Sequence, residues 1–382
     1  MFASTLADAL APSLLLISVA ALGCAASAPA TRAAAPAPRV PYVYVGGYRP
    51  EISIFRLDQA AGKLTPVGHV PAGTAPSFLA WDPARKNLFA VDEIDSGQVL
   101  AFAIDGATGL LRAQGQTPSA GVGPAHLSVD RSGRWVLVAN YAGKKSGTIA
   151  SLPIGSDGRL GVAVDTKDYG PASMPHMIVT DPTNGFVLVP CKGGPFVAEL
   201  IFDPATGKLA PNDPDRAMTR PKSGPRHIAF HPGKDVAYLI NEQEMTVVVY
   251  SFDRGRGRLA ELQSIGTLPT GAPMGKGYST AEIEVHPSGK FVYGSNRGHN
   301  SIVVYGVQED GKLALIGHEK RTINTPRHFS IDPSGALLLV ANQGADSVSV
   351  FRIDGNTGLL TPVGAPTPAG KQPSFVGTIL LP

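Results

Sequence analysis

From residue 40 onward, short apolar stretches alternate with turn residues in a pattern that repeats along the chain. APSFLAWDPARKNLFAVDE (75–93), GPAHLSVDRSGRWVLVANY (123–141) and MPHMIVTDPTNGFVLVPCK (174–192) align without a gap. GPRHIAFHPGKDVAYLINE (224–242), STAEIEVHPSGKFVYGSNR (279–297) and TPRHFSIDPSGALLLVANQ (325–343) join them. Each reads as a strand, a D/H-P-x-x-like turn, a second strand and a closing polar pair. That pair begins 13 residues after Leu79, Leu127, Ile178, Ile228, Ile283 and Phe329 alike. A third apolar run follows, as in QVLAFAID (98–105) and SVSVFRID (347–354), and ends in D-x-x-T-G-x-L at Asp105, Asp203 and Asp354. The Gly supplies the positive φ of that turn and the Leu opens a short fourth strand.

Unit starts at Pro76, Pro124, Pro175, Pro225, Thr280, Pro326 and Pro373 are spaced 48, 51, 50, 55, 46 and 47 residues apart. Four short strands with a period near 50 predict a propeller blade. The seventh unit is split: QPSFVGTILLP (372–382) matches the first strand, whereas VPYVYVGGY (40–48) and ISIFRLD (52–58) match the second and third. The predicted fold is therefore all-β, a seven-bladed β-propeller of four-stranded antiparallel blades, its ring closed by the C-terminal strand, which removes an exposed sheet edge. It occupies 40–382 as one domain.

Composition agrees. Gly (44) and Pro (34) make up about a fifth of the 382 residues, while 43% hydrophobic residues exclude a disordered chain. A net charge of +3 without a basic block argues against a nucleic-acid partner. Two cysteines, Cys24 and Cys191, exclude a disulfide scaffold and a cysteine-built zinc site. Residues 1–39 read as an export signal and an Ala/Pro linker, because the apolar run LLLISVAAL (14–22) is too short to span a bilayer and small residues follow it. Ala21-Leu22-Gly23-Cys24 resembles a lipoprotein cleavage box with Cys24 as the acylated residue; plain cleavage after Ala28 or Ala30 is the alternative. The protein is thus expected to be exported, either periplasmic or anchored through a lipid on Cys24.

Corresponding positions of a propeller lie at corresponding heights around one channel, and two registers here stand out. The residue after each unit's Pro (or Thr280) is Ser77, Ala125, His176, Arg226, Ala281, Arg327 or Ser374, small or ionisable throughout. The closing pairs are Asp92-Glu93, Asn140-Tyr141, Cys191-Lys192, Asn241-Glu242, Asn296-Arg297 and Asn342-Gln343. Antiparallel pairing brings both registers to one mouth. His176, Arg226, Glu242 and Arg297 form an ionisable cluster that a scaffold does not need, which marks them as catalytic candidates. Asn140, Asn241, Glu282, Asn296, Arg327 and Asn342 are candidates for substrate binding, although strand-end Asn commonly caps turns. His126, His227 and His328 fall in the alternate register and are expected between blades. His231 and His286 replace the Asp of other units and are expected to serve their turns. There is no phosphate loop, nucleophile elbow or carboxylate-rich cluster, so neither a metal nor another cofactor is expected.

The runs MPHMIVTDP, GPRHIAFHP with Asn241-Glu242, STAEIEVHPSGKFVYGSNRGH and TPRHFSIDPSG with ANQ resemble the seven-bladed propeller lactonase family over about 40–382. That family includes bacterial propeller-type 6-phosphogluconolactonases and the fungal 3-carboxy-cis,cis-muconate lactonising enzyme. The resemblance implies a catalytic set of one His, two Arg and one Glu, falling on His176, Arg226, Glu242 and Arg297. Bacterial relatives often carry Asp-Leu-Gly where this chain has Cys191-Lys192-Gly193-Gly194. The expected activity is hydrolysis of a small sugar-acid lactone by a monomer, 6-phosphogluconolactonase-like and at the channel mouth. A muconate-type cycloisomerase on the same site and a non-enzymatic periplasmic binding propeller stay open. In the hydrolase reading, Arg226 and Arg297 supply forked donors to an anion or developing oxyanion. Glu242 or His176 takes the proton of water, His176 being favoured near neutral pH. Lys192 and Lys276 are candidates for added positive potential, and Arg226 is expected to project into a wet channel.

Overall fold

The computed structural model describes residues 39–381, and before them only Ser13. The export segment and Cys24 therefore lie outside the described residues. What is described is a ring of seven antiparallel sheets, here called blades, each with four strand positions running outward from the channel.

Blade 1 comprises Leu79–Trp81, Asn87–Asp92, Gln98–Ile104 and Leu111–Pro118. Blade 2 comprises Pro124–Val129, Trp135–Asn140, Ser146–Pro153 and Asp165–Pro171; blade 3 comprises Val179–Thr180, Phe186–Cys191, Phe196–Asp203 and Lys208–Met218. Blade 4 comprises Pro225–Phe230, Val236–Asn241, Thr246–Asp253 and Arg258–Gly266; blade 5 comprises Ser279–Val285, Phe291–Arg297, Ser301–Val307 and Leu313–Glu319. Blade 6 comprises Pro326–Ile331, Leu337–Asn342 and Ser347–Ile353, its outermost strand broken into Leu360–Pro362 and Thr367–Pro368. Blade 7 closes the ring: Pro373–Leu381 pairs with Val40–Gly47, from Val40↔Leu381 to Gly47↔Pro373, and Glu51–Asp58 and Lys63–Pro71 follow outward.

A blade is buried on both faces, which is why its second strand is a continuous apolar run rather than an alternating one. VAYLIN (236–241) and LLLVAN (337–342) are buried at every residue. The apolar side chains do not gather in one centre. They form seven clusters, each shared by two neighbouring blades: Phe89 and Val91 of blade 1 meet Leu127 and Val138 of blade 2, and Tyr238 of blade 4 meets Ile283 and Tyr305 of blade 5. The turn glycines contribute to this packing. Gly109 (φ 70°) and Gly358 (φ 74°) sit against the rings of Tyr42 and Phe291 in the preceding blades, so a Cβ at either position collides with the ring. His231 and His286 serve their turns as expected. Nδ1 of His231 accepts from Gly233 N (3.0 Å) and Lys234 N (2.8 Å), and Nε2 lies 3.0 Å from Gly289 O of the next blade.

A β-bulge recurs where the first strand begins. Pro124 pairs with Asn140 and His126 with Ala139, leaving Ala125 over; Arg226 and Arg327 are left over in the same way in blades 4 and 6. An extra residue re-aims the side chains around it. Two consecutive residues therefore reach the axis, which corrects the expected place of His126, His227 and His328. They are not wedged between blades but lie in a layer closing the channel with Phe78, Glu282 and Phe375. Ring centroids of Phe78 and His126 are 4.2 Å apart, of His126 and His227 5.5 Å, and of His328 and Phe375 4.5 Å.

Beyond this layer the channel widens into a cavity of about 420 Å³ whose wall includes Ala80, Trp81, Ala229, Glu284, Ser330 and Gly377. Burial pushes the Glu284 carboxyl up to about 8, aided by the like charge of Glu282 and opposed by the N–H of Ile331. An unfolded Glu titrates near 4.3. Between those values the native state holds a proton that the unfolded chain has lost, so this group's contribution to stability falls as pH rises through that window. Glu284→Gln, which mimics the protonated form, is expected to raise the melting temperature over wild type at pH 9 and hardly at all at pH 4. A gain of equal size at both pH values contradicts the assignment.

Candidate active site

Ser77, Ala125, His176, Arg226, Arg327 and Ser374 share a small chamber with Glu93, Phe78, His227 and His328. The bulge brings Arg226 in from the first strand of blade 4, and Glu242 follows the end of that blade's second strand. Arg226 Nη1 donates to Glu242 Oε2 (2.5 Å) and to His176 Nε2 (2.7 Å), while its Nε donates to Ala281 O of blade 5 (2.9 Å). The residue is only 3% exposed, so the expected projection into a wet channel is replaced by a buried tie among blades 3, 4 and 5.

Glu242 collects further cations. Lys192 Nζ lies 2.8 Å from its Oε1 and Arg297 Nη2 3.1 Å from the same atom. Arg297 Nη2 also donates to Thr280 O (2.8 Å), and Lys192 donates to the Tyr141 hydroxyl (3.1 Å). Burial favours the neutral acid, yet Arg226, Arg297 and Lys192 outweigh it and hold the Glu242 carboxyl far below the usual range. Burial and the Arg226 charge push the Arg297 guanidinium down to about 10, so it keeps its proton at neutral pH. A guanidinium only donates, so Nε2 of His176 is an acceptor and its proton sits on Nδ1. That Nδ1 is buried without a partner. Burial first, then Arg226, keeps His176 well below the ordinary imidazole range and hence neutral. At rest, then, the lone pair that His176 would use as a proton shuttle is engaged by Arg226.

The opposite side of the mouth is a chain of three polar groups. Arg327 Nη2 donates to the Tyr48 hydroxyl (2.7 Å), which donates to Glu93 Oε2 (2.9 Å), and the guanidinium lies 5.3 Å from the Tyr48 ring centroid. Burial pushes the Tyr48 hydroxyl up to about 12, so it stays protonated. The mouth thus sets Lys192, Arg226, Arg297 and Arg327 against Glu93 and Glu242, an excess of positive charge suited to an anion or a developing oxyanion.

The structure brings together His176, Arg226, Glu242 and Arg297, and with them Lys192 and Arg327. Other candidates lie elsewhere. Asn140, Asn241, Asn296 and Asn342 are 0–1% exposed and turned into the scaffold. Nδ2 of Asn140 donates to Ser119 O (3.0 Å), of Asn241 to Thr246 Oγ1 (3.0 Å), of Asn296 to Thr267 O (2.8 Å) and of Asn342 to Thr322 O (3.1 Å). Asn140, Asn296 and Asn342 pin the loops that enter their blades, Asn241 ties the turn to its own third strand, and all four are corrected from ligand groups to structural ones. Glu282 belongs to the layer that closes the channel, below the mouth. Lys276 is exposed in the loop before blade 5, outside the cluster. Tyr48 and Glu93 were missed as site residues. Tyr48 occupies the register of Glu93, Tyr141, Lys192, Glu242, Arg297 and Gln343, at the end of VPYVYVGGY (40–48).

Comparison with known proteins bears on this arrangement. The signature "Lactonase, 7-bladed beta-propeller" matches residues 42–377. The chain is 34% identical over 331 residues to a 6-phosphogluconolactonase of Yersinia pestis, covering 85% of this chain and 94% of the relative. It is 33% identical over 340 residues to that of Pectobacterium carotovorum, covering 87% and 96%. Among solved structures, the periplasmic gluconolactonase of Pseudomonas aeruginosa superposes with a TM-score of 0.84 at 28% identity, over 90% of this chain and all of the other. With a matched region that reaches into all seven blades, the chain belongs to the seven-bladed β-propeller lactonase family.

Proposed function

We propose that this protein hydrolyses the lactone of a small sugar acid at the mouth of its channel, as its relatives named 6-phosphogluconolactonase and gluconolactonase do by name. The observation that carries the reading is a single buried carboxylate, Glu242, holding Lys192, Arg226 and Arg297 within 3.1 Å of its oxygens. A carboxylate so engaged is a poor base; its role is to fix three cations in place. In this reading the lactone rests on the rim, because the inner chamber is too small for a sugar ring. Its carbonyl meets the guanidinium groups of Arg226 and Arg297, which Glu242 holds side by side. Arg327, stacked on Tyr48, suits a carboxylate or phosphate at the far end of the substrate.

A panel of purified-protein assays in chelator tests the reading: glucono-δ-lactone, its 6-phosphate and 3-carboxymuconate. Opening of a sugar lactone supports it. Turnover of carboxymuconate alone favours the cycloisomerase, and binding without turnover of any of them favours the ligand-binding propeller.

We further infer export. The apolar run over 14–22 supports it, as does the likeness to a periplasmic gluconolactonase. Fractionation of cells is expected to place the processed protein outside the cytoplasm; a full-length chain retained in the cytoplasm contradicts this. Labelled palmitate on Cys24 distinguishes lipid anchorage from plain cleavage.

A further inference from the structure

Hydrolysis requires a group that takes a proton from the attacking water, and both expected bases are engaged elsewhere. Glu242 is held far below the usual carboxylate range by three cations, and Nε2 of His176 accepts from Arg226. The chamber beneath them holds another imidazole. His227 Nδ1 lies 3.0 Å from Glu282 Oε1 and 2.9 Å from Oε2, and its Nε2 is buried with no partner among the described residues. His227 lines the same chamber as His176, Arg226 and Arg327, and its ring centroid is 5.2 Å from that of His176.

The tautomer of His227 follows from the surroundings and charge of Glu282. Its Oε1 accepts from Ile283 N (3.0 Å), and its Oε2 lies 3.2 Å from His328 Nε2. His328 Nδ1 accepts from Val376 N (3.4 Å), so its proton is on Nε2 and is donated to Glu282. Both oxygens are thus placed as acceptors, and with Glu282 ionised the His227 proton sits on Nδ1 and the lone pair of Nε2 is free. Burial raises the Glu282 carboxyl, and His328 and the Ile283 N–H oppose the rise. Burial, then Arg226 and Arg327, keep His227 well below the ordinary imidazole range, so it rests neutral; Glu242 opposes this shift and Arg297 adds to it. The free space in the chamber, about 10 Å³, is the size of a single water.

We propose that His227 is the general base of the lactonase and that Glu282 is the residue that positions it. The proposal rests on the lactone-hydrolysis reading above. Nε2 takes a proton from the water as its oxygen bonds to the lactone carbonyl carbon, and the carbonyl electron pair moves to the oxygen facing the guanidinium groups. Collapse of this oxyanion breaks the ring C–O bond, and the leaving oxygen takes the proton from Nε2. One water is consumed, one hydroxy acid is formed, and His227 returns to its neutral form.

Glu282→Gln tests this. The side-chain shape is kept, but the amide donates to Nδ1, moves the imidazole proton to Nε2 and removes the lone pair. An Asp-to-Asn change at the same place in a serine-protease triad lowers kcat by about 10⁴ through the wrong tautomer. Here both Glu282→Gln and His227→Gln are expected to lower kcat by about 100-fold or more, with KM within about twofold of wild type. The residual rate should climb with hydroxide concentration. ¹⁵N NMR of the imidazole nitrogens in wild type gives a readout free of activity and of variant folding, and should place the His227 proton on Nδ1. Wild-type kcat in either folded variant overturns the role of His227, as does a proton on Nε2 in the wild-type spectrum. A wild type that opens no lactone overturns the function and this role together, which separates the two failures.

Discussion

Arg226→Lys is expected to lower lactone turnover by about 10²–10³-fold, the loss seen when one oxyanion donor is removed, equal to about 2.7–4 kcal/mol of transition-state stabilisation. Lysine keeps the charge but not the planar fork, and one ammonium on a flexible stem cannot reproduce contacts made by Nε and Nη1 in fixed geometry. Stability should fall as well. The guanidinium is buried and reaches His176 of blade 3, Glu242 of blade 4 and Ala281 O of blade 5. Each buried partner left unsatisfied costs about 1–3 kcal/mol. Glu242 softens the loss, because Arg297 and Lys192 still hold it. Steady-state kinetics and thermal melts on the same preparation read both effects, with the exposed Lys276→Ala as a control. A lower melting temperature with normal turnover would reduce Arg226 to a tie between blades.

Removing residues 372–382 is expected to abolish cooperative folding. The strand Pro373–Leu381 pairs along the whole of Val40–Gly47 and buries Phe375, Val376, Ile379 and Leu381. Each such side chain contributes about 1.5–3 kcal/mol, so the four together match the total stability of an ordinary domain, about 5–15 kcal/mol. The deletion also bares the inner edge of Val40–Gly47, a row of unpaired N–H and C=O groups open to aggregation. Melting by circular dichroism and elution volume check this. A truncated protein that is monomeric and melts like the full-length chain would show that the ring does not depend on its last strand.

The seven blades and their closure were legible because each blade is one repeat, and a repeat with no insertion between its first two strands shows as constant spacing. Five of the mouth residues were legible for a related reason: in a register otherwise small, or otherwise Asn-led, His176, Arg226, Arg327, Glu242 and Arg297 break the rule. The floor of the site was not legible. Strand alternation assigns Arg226 and His227 to opposite faces, and only the bulge, set by how Pro225 and His227 pair with Asn241 and Ile240, turns both to the axis. Burial is equally invisible at this level: Asn140 and Asn342 look like rim groups until Ser119 O and Thr322 O are found within reach of their amides. Tyr48 stood in the closing register, but nothing in its ring announced the chain it forms with Arg327 and Glu93.

The most direct test of the account is the rate at which purified protein opens glucono-δ-lactone and its 6-phosphate, corrected for spontaneous hydrolysis, beside an Arg226→Met/Arg297→Met double variant that still melts cooperatively. The account predicts saturable turnover of at least one lactone by wild type, competitive inhibition by the hydroxy-acid product, and a rate for the double variant indistinguishable from buffer. Equal turnover by the two proteins, or no turnover by wild type above the spontaneous rate, would contradict it.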